Sequence, residues 1–186
     1  MSVKSVSVFT GSKHGKDPLI SAHVIQLGEL LGQQAELVRY GGGQYGYLKD
    51  LMNGVSNTDA KMEAIISSAY YKEDEQYPEF VSVIKTVTDI ERNKQFSLSD
   101  AFIVTAGGDG TIAEATHMQY QNVSATYSNT PQKPIIFVNT NDYFNGLRTQ
   151  YSKAIEDGYS DKERQANLHF VNSPTDAVKL LYPKSF

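Results

Sequence analysis

Short runs of β-branched and apolar residues alternate along this chain with longer segments whose apolar positions recur at helical spacing. A short apolar run without polar alternation suits a strand buried on both faces, and such strands belong to parallel sheets covered by helices. The pattern predicts strands at 5–10, 35–40, 61–67, 80–87, 101–105, 134–139 and 168–171. Helices are expected at 18–34, from the glycine-rich turn at 41–46 to about 57, at 89–98, from 111 to about 122, at 141–158 and at 174–181. In the first of these, Leu19, Ala22, Ile25, Leu27 and Leu30 make the expected buried stripe. Pro18 suits its opening turn, where a missing N–H costs nothing. The polar, tyrosine-rich stretch 69–79 fits neither period.

Strands alternating with helices in this way specify an α/β fold: a Rossmann-like, doubly wound parallel sheet in three α-β-α layers. With 186 residues, 40% of them apolar, the chain can fill one core, and no repeat, linker or low-complexity tract divides it, so 1–186 reads as a single domain. The 17 Lys and Arg against 21 Asp and Glu leave a net charge of −4, which argues against a nucleic-acid partner. The absence of cysteine removes disulfides and thiolate metal sites and any argument for an oxidising compartment. The N-terminal stretch 1–11 reads as a strand running straight into a turn rather than as a signal peptide. No apolar run approaches the roughly 18 residues of a membrane span, so neither membrane nor export is expected, and the cytoplasm is.

Two glycine-rich turns carry the candidate chemistry. Residues 41–46 match G-x-G-x-x-G between an expected strand and an expected helix. Glycine lets a backbone approach a ligand closely, and the following helix offers unpaired N–H groups and the positive end of its dipole to an anion. The acidic residue that a dinucleotide site wants about 20 positions on is absent, since Ile65 and Ile66 stand there. The second turn, Gly107-Gly108-Asp109-Gly110-Thr111, repeats the architecture and continues to Glu114. Thr111 and Glu114 have the spacing of a capping box, in which each would satisfy a backbone N–H of the helix start. Glu114 one turn into a helix is also placed to reach a ribose hydroxyl or a water. Glu91 and Arg92 open the preceding helix, where a guanidinium would pair with a phosphate or with Glu114. Asn139 ends its strand where ligands collect in parallel sheets. His14, His23, His117 and His169 show no metal spacing, and no metal is expected.

The order of these pieces resembles a known family. Val8-Phe9-Thr10-Gly11-Ser12, Tyr40-Gly41-Gly42-Gly43-Gln44-Tyr45-Gly46, Glu91-Arg92, Asp100-Ala101-Phe102-Ile103, Gly107-Gly108-x-Gly110-Thr111-x-x-Glu114 and Lys133-Pro134-Ile135-Ile136 are similar to the Lonely Guy family over nearly the whole chain. Those proteins are cytokinin-activating nucleoside 5′-monophosphate phosphoribohydrolases, long labelled possible lysine decarboxylases. The resemblance implies a Rossmann-like homodimer or higher homo-oligomer that hydrolyses the N-glycosidic bond of a nucleoside monophosphate such as AMP, without cofactor or metal. It implies Arg92 and Glu114 as catalytic residues. It implies Gly11, Ser12, Gly42, Gly43, Gly46, Gly107, Gly108, Asp109, Gly110 and Thr111 as contacts to phosphate and ribose. The base pocket is expected from the 69–79 region and a dimer partner.

Departures are local. Ile90-Glu91-Arg92-Asn93 replaces His-Glu-Arg-Lys, Phe96 replaces Met, Ala106 replaces the proline before the second glycine pair, and Tyr47-Leu48-Lys49 replaces Leu-Met-Gly. A nucleotide binder without turnover is therefore one alternative. Another is a kinase of the NAD or diacylglycerol type, which the Gly-Gly-Asp-Gly-Thr run also resembles. Such kinases carry a β-rich second domain, for which the 76 residues after Gly110 leave little room.

Overall fold

The computed structural model describes residues 3–185. Of the N-terminal stretch 1–11, residues 1 and 2 lie outside that description.

In chain order the elements are β1 (Ser5–Phe9), α1 (Pro18–Gln34), β2 (Leu37–Tyr40), α2 (Gly46–Val55), β3 (Lys61–Ser67), β4 (Val81–Thr86), α3 (Asp89–Ser97), β5 (Ala101–Val104), α4 (Asp109–Ser128), β6 (Ile135–Val138), α5 (Asn145–Glu156), β7 (Leu168–Val171) and α6 (Pro174–Leu181). A 3-10 turn, Thr140–Asp142, sits between β6 and α5. The strands form one seven-stranded sheet in the order β4-β3-β2-β1-β5-β6-β7, and every pair is parallel. This is the doubly wound α/β fold expected from the sequence. The order reverses between β1 and β5, so the loops after these strands diverge there and leave a crevice at the carboxyl ends, the usual ligand position in such sheets.

The two faces have separate cores. Val6, Val8, Val38, Tyr40, Met62 and Ile103 point to the side covered by α1, α2 and α6. Phe9, Ile65, Phe102, Val104, Ile135 and Phe137 point to the other, under α3 and α4, where Phe96, Ala115 and Met118 close the layer. Phe9 anchors that second core through an edge-to-face contact with Phe96 at 5.2 Å and a stacked contact with Phe102 at 6.0 Å.

The buried face of α1 differs from the expected stripe. Ile20, Val24, Leu27, Gly28, Leu31 and Gly32 are buried, whereas Leu19 is 42% exposed. The reason is α2, which crosses so closely that a Cβ on Gly54 would lie 2.2 Å from the Ile25 carbonyl oxygen and 2.9 Å from the Gly28 Cα. Apolarity alone did not mark the glycines as the contact surface. Helix α4 runs on to Ser128, beyond the expected end near 122, and stops where Asn129 takes a left-handed conformation at φ 51°.

Candidate active site

Three loops meet at the carboxyl end of the sheet: Thr10–Lys13 after β1, Gly41–Tyr45 after β2 and Thr105–Gly108 after β5. Gly11 N–H donates to the Ala106 carbonyl at 3.1 Å, and the Thr105 hydroxyl donates to that of Thr10 at 2.6 Å. A Cβ on Gly107 would lie 2.8 Å from Gly11 N, and one on Gly46 would lie 2.4 Å from the Ser12 carbonyl oxygen. The loops are in backbone contact, and glycine is what permits it.

Between them and the α3–α4 pair lies a cavity of about 670 Å³. Its floor is made of Gly11, Ser12, Gly43, Gly108, Asp109, Gly110 and Thr111, and its deep wall carries Arg92 and Glu114. Lys13, Leu48 and Ile66 complete the sides, and Tyr45 and Tyr70 stand at the mouth, 55% and 74% exposed. A volume of this order accommodates a nucleotide-sized ligand. Tyr70 comes from the 69–79 region expected to supply the base pocket, whereas Lys13, Tyr45 and Leu48 lie in or beside the glycine-rich loops without having been named as site residues.

Arg92 and Glu114 form an ion pair, Nη1 to Oε1, with the side chains only 21% and 13% exposed. Arg92 also donates through Nε to the Ile65 carbonyl at 3.2 Å, and its guanidinium lies 4.9 Å over the Phe96 ring. The cation is therefore held by strand β3, by α3 and by the carboxylate. Burial pushes the Glu114 carboxyl above the usual carboxylate range, and the Arg92 charge and hydrogen bond draw it only part of the way back.

The structure separates the remaining candidates. Gly42, Gly46 and Gly107 shape the loops but are not part of the cavity lining. Thr111 and Glu114 do not cap α4: its N-cap is Gly108, without a side-chain cap, and the Glu114 carboxylate faces Arg92. The capping box forms instead at α3, where Thr88 Oγ1 accepts the Glu91 N–H at 3.2 Å and Glu91 Oε2 accepts the Val87 and Thr88 N–H groups at 2.8 and 3.4 Å. Glu91 is thus occupied in starting its helix and points away from the cavity wall that its neighbour Arg92 builds. Glu91→Ala is expected to lower folding stability by about 1 kcal/mol in urea titration while ligand binding is unchanged. Asn139 is likewise structural: buried, it accepts the Phe144 N–H at 2.6 Å and donates to the Asn145 side chain at 2.9 Å, outside the cavity. Among the described residues no cluster of three or more His, Cys, Asp or Glu is arranged to hold a metal. No helix among them is long and apolar enough to cross a membrane.

A profile of proteins described as possible lysine decarboxylases matches residues 48–181. A probable cytokinin riboside 5′-monophosphate phosphoribohydrolase of Oryza sativa subsp. japonica is 32% identical over 162 residues, 86% of this chain and 68% of its own length. A cytokinin riboside 5′-monophosphate phosphoribohydrolase of Arabidopsis thaliana is 30% identical over 181 residues, 96% of this chain and 82% of its own. Among solved structures, the molybdenum cofactor binding protein from Rippkaea orientalis superposes with a TM-score of 0.67 at 20% identity, covering 100% of this chain and 99% of that one. The molybdenum cofactor carrier protein from Chlamydomonas reinhardtii superposes with a TM-score of 0.65 at 15% identity, covering 98% and 99%. At those identities the structural likeness is one of fold.

Proposed function

Because this chain belongs to the Lonely Guy, or possible lysine decarboxylase, family, we propose that it hydrolyses a nucleoside 5′-monophosphate to free base and ribose 5-phosphate. The observation that carries the proposal is the Glu114 carboxylate, buried in the wall of the cavity and fixed by Arg92 beside loops suited to an anion. Breaking the N-glycosidic bond leaves positive charge on the sugar carbon while the bonding electron pair departs with the base. A carboxylate already largely stripped of water on the wall of the cavity would stabilise the developing cation and orient the attacking water, whose oxygen goes to the sugar and whose proton goes to the base. Arg92 acts through Glu114 by keeping it ionised and in place. The amides of the glycine loops, with the Ser12 and Thr111 hydroxyls, hold the phosphate. No metal or cofactor takes part in this scheme, and the protein acts as a homo-oligomer in the cytoplasm.

The test is incubation of the purified protein with AMP and other monophosphates, followed by chromatography for free base and ribose 5-phosphate. Release of both in equal amounts supports the proposal, and no release from any monophosphate defeats it. The pH profile adds an independent reading. Glu114 must be ionised to act, and its carboxyl is raised from 4.5, so kcat/KM should fall on the acid side at a pH above 4.5. Arg92→Ala removes the group that draws this carboxyl down, and the acid limb should move to higher pH. The same substitution leaves a buried carboxylate without its counterion and should cost about 3 kcal/mol in stability.

A further inference from the structure

The two glycine loops are each held from outside by a tyrosine hydroxyl. Tyr77, in the irregular segment between β3 and β4, donates its O–H to the Gly42 carbonyl at 2.6 Å. Tyr143, at the end of the 3-10 turn after β6, donates its O–H to the Gly107 carbonyl at 2.5 Å. In a planar trans peptide the C=O of one residue and the N–H of the next point in opposite directions. A carbonyl drawn outward to a tyrosine therefore turns the following N–H inward. Those N–H groups belong to Gly43 and Gly108, both of which line the cavity, and among the described residues neither has a protein acceptor. Donation to the carbonyl also polarises the peptide, making its N–H a better donor.

The surroundings of Tyr143 show how firmly its position is set. Asn141 and Asp142, immediately before it, both adopt left-handed backbone, at φ 48° and 61°. Non-glycine residues hold that conformation only where neighbouring contacts over-determine it. Here Asn141 donates to Asp17 at 2.6 Å, Thr140 meets His23 Nδ1 at 2.7 Å, and the Asn139 side chain accepts the Phe144 N–H. The product of this bracing is a tyrosine laid across the loop after β5. On the other side, Gln44 donates to the Gln76 carbonyl at 2.9 Å, tying the loop after β2 to the segment that carries Tyr77.

We propose that Tyr77 and Tyr143 are positioning residues for the substrate phosphate, each orienting one peptide so that the Gly43 and Gly108 amides converge on the anion. The proposal rests on the reading of the cavity as a nucleoside monophosphate site and extends it to residues that touch no substrate.

The experiment compares Tyr77→Phe and Tyr143→Phe with the native protein. Each substitution keeps the ring and removes only the hydroxyl. Binding of ribose 5-phosphate and of adenosine is measured by calorimetry, with AMP turnover alongside. In each variant Kd for ribose 5-phosphate and KM for AMP should rise about five- to tenfold, the worth of one net hydrogen bond, while kcat and the affinity for adenosine stay within about twofold. Equal weakening of phosphorylated and unphosphorylated ligands means general loosening and overturns the proposal, as does an unchanged Kd for ribose 5-phosphate in both variants. A native protein that binds ribose 5-phosphate but releases no base from AMP defeats the hydrolase reading while leaving this one intact. A native protein that does not bind ribose 5-phosphate at all defeats this one.

Discussion

Glu114→Gln should abolish base release from nucleoside monophosphates, lowering kcat by roughly a thousandfold or more, while ribose 5-phosphate still binds. Glutamine has the shape of glutamate and its carbonyl oxygen can still accept from Arg92, so the cavity wall keeps its geometry. What it loses is the full negative charge that faces the developing sugar cation. The folded-state carboxyl of Glu114 is raised above 4.5, so its contribution to stability is fully present below that value and is lost as pH rises through the folded value. Above the folded value the buried charge is thus a liability that the amide removes, while Arg92 loses its counterion. These effects oppose each other, and the thermal midpoint should move by only a few degrees. Residual activity within tenfold of the native enzyme would show that another group stabilises the cation.

Much of this arrangement is legible in the sequence, and the part that is not has physical causes. The bounds of α1, β3, β7 and α6 are as expected because local chemistry ends them: Asp17 and Pro18 start α1, and Ser173 with Pro174 starts α6. Glycine spacing located the loops after β2 and β5, since no other residue permits their backbone contact. Arg92 and Glu114 could be named as partners because each opens a helix next to β5, the strand beside the switch point. Two kinds of feature stayed hidden. Gly28 and Gly32 carry no apolar side chain, so hydrophobic periodicity misplaced the buried face of α1. Tyr77 and Tyr143 act on carbonyls 35 and 36 residues away, from the irregular segment before β4 and from the end of the short 3-10 turn after β6. No periodic signal connects an irregular segment to a distant loop; only the tertiary fold does. Glu91 shows the converse error, since its place beside Arg92 suggested chemistry while the Thr-x-x-Glu spacing from Thr88 was the stronger local signal.

The second large effect is structural and concerns the contact that joins the loops. Gly46→Ala should destabilise the protein by about 2–5 kcal/mol, for two separable reasons. Gly46 sits at φ 57°, where a Cβ crowds its own carbonyl. That Cβ would also lie 2.4 Å from the Ser12 carbonyl oxygen, 2.5 Å from the Ser12 carbonyl carbon and 2.7 Å from Lys13 N, all backbone atoms that no rotamer change can move aside. Either the loop after β1 shifts or the first turn of α2 unwinds, because Gly46 is its first residue. For a chain of this size each kcal/mol is worth about 2–4 °C, so the thermal midpoint should fall by roughly 4–20 °C. Gly110→Ala is the control within the same site. There a Cβ meets nothing within 4 Å and the residue lies inside α4, so stability should hold or rise by a few tenths of a kcal/mol. If Gly46→Ala proves as stable as Gly110→Ala, the loops after β1 and β2 have room to separate. They would then not form a rigid anion cradle. If it is destabilised as expected, the surviving folded protein should also bind ribose 5-phosphate more weakly, because the atoms displaced belong to Ser12 and Lys13 on the cavity wall.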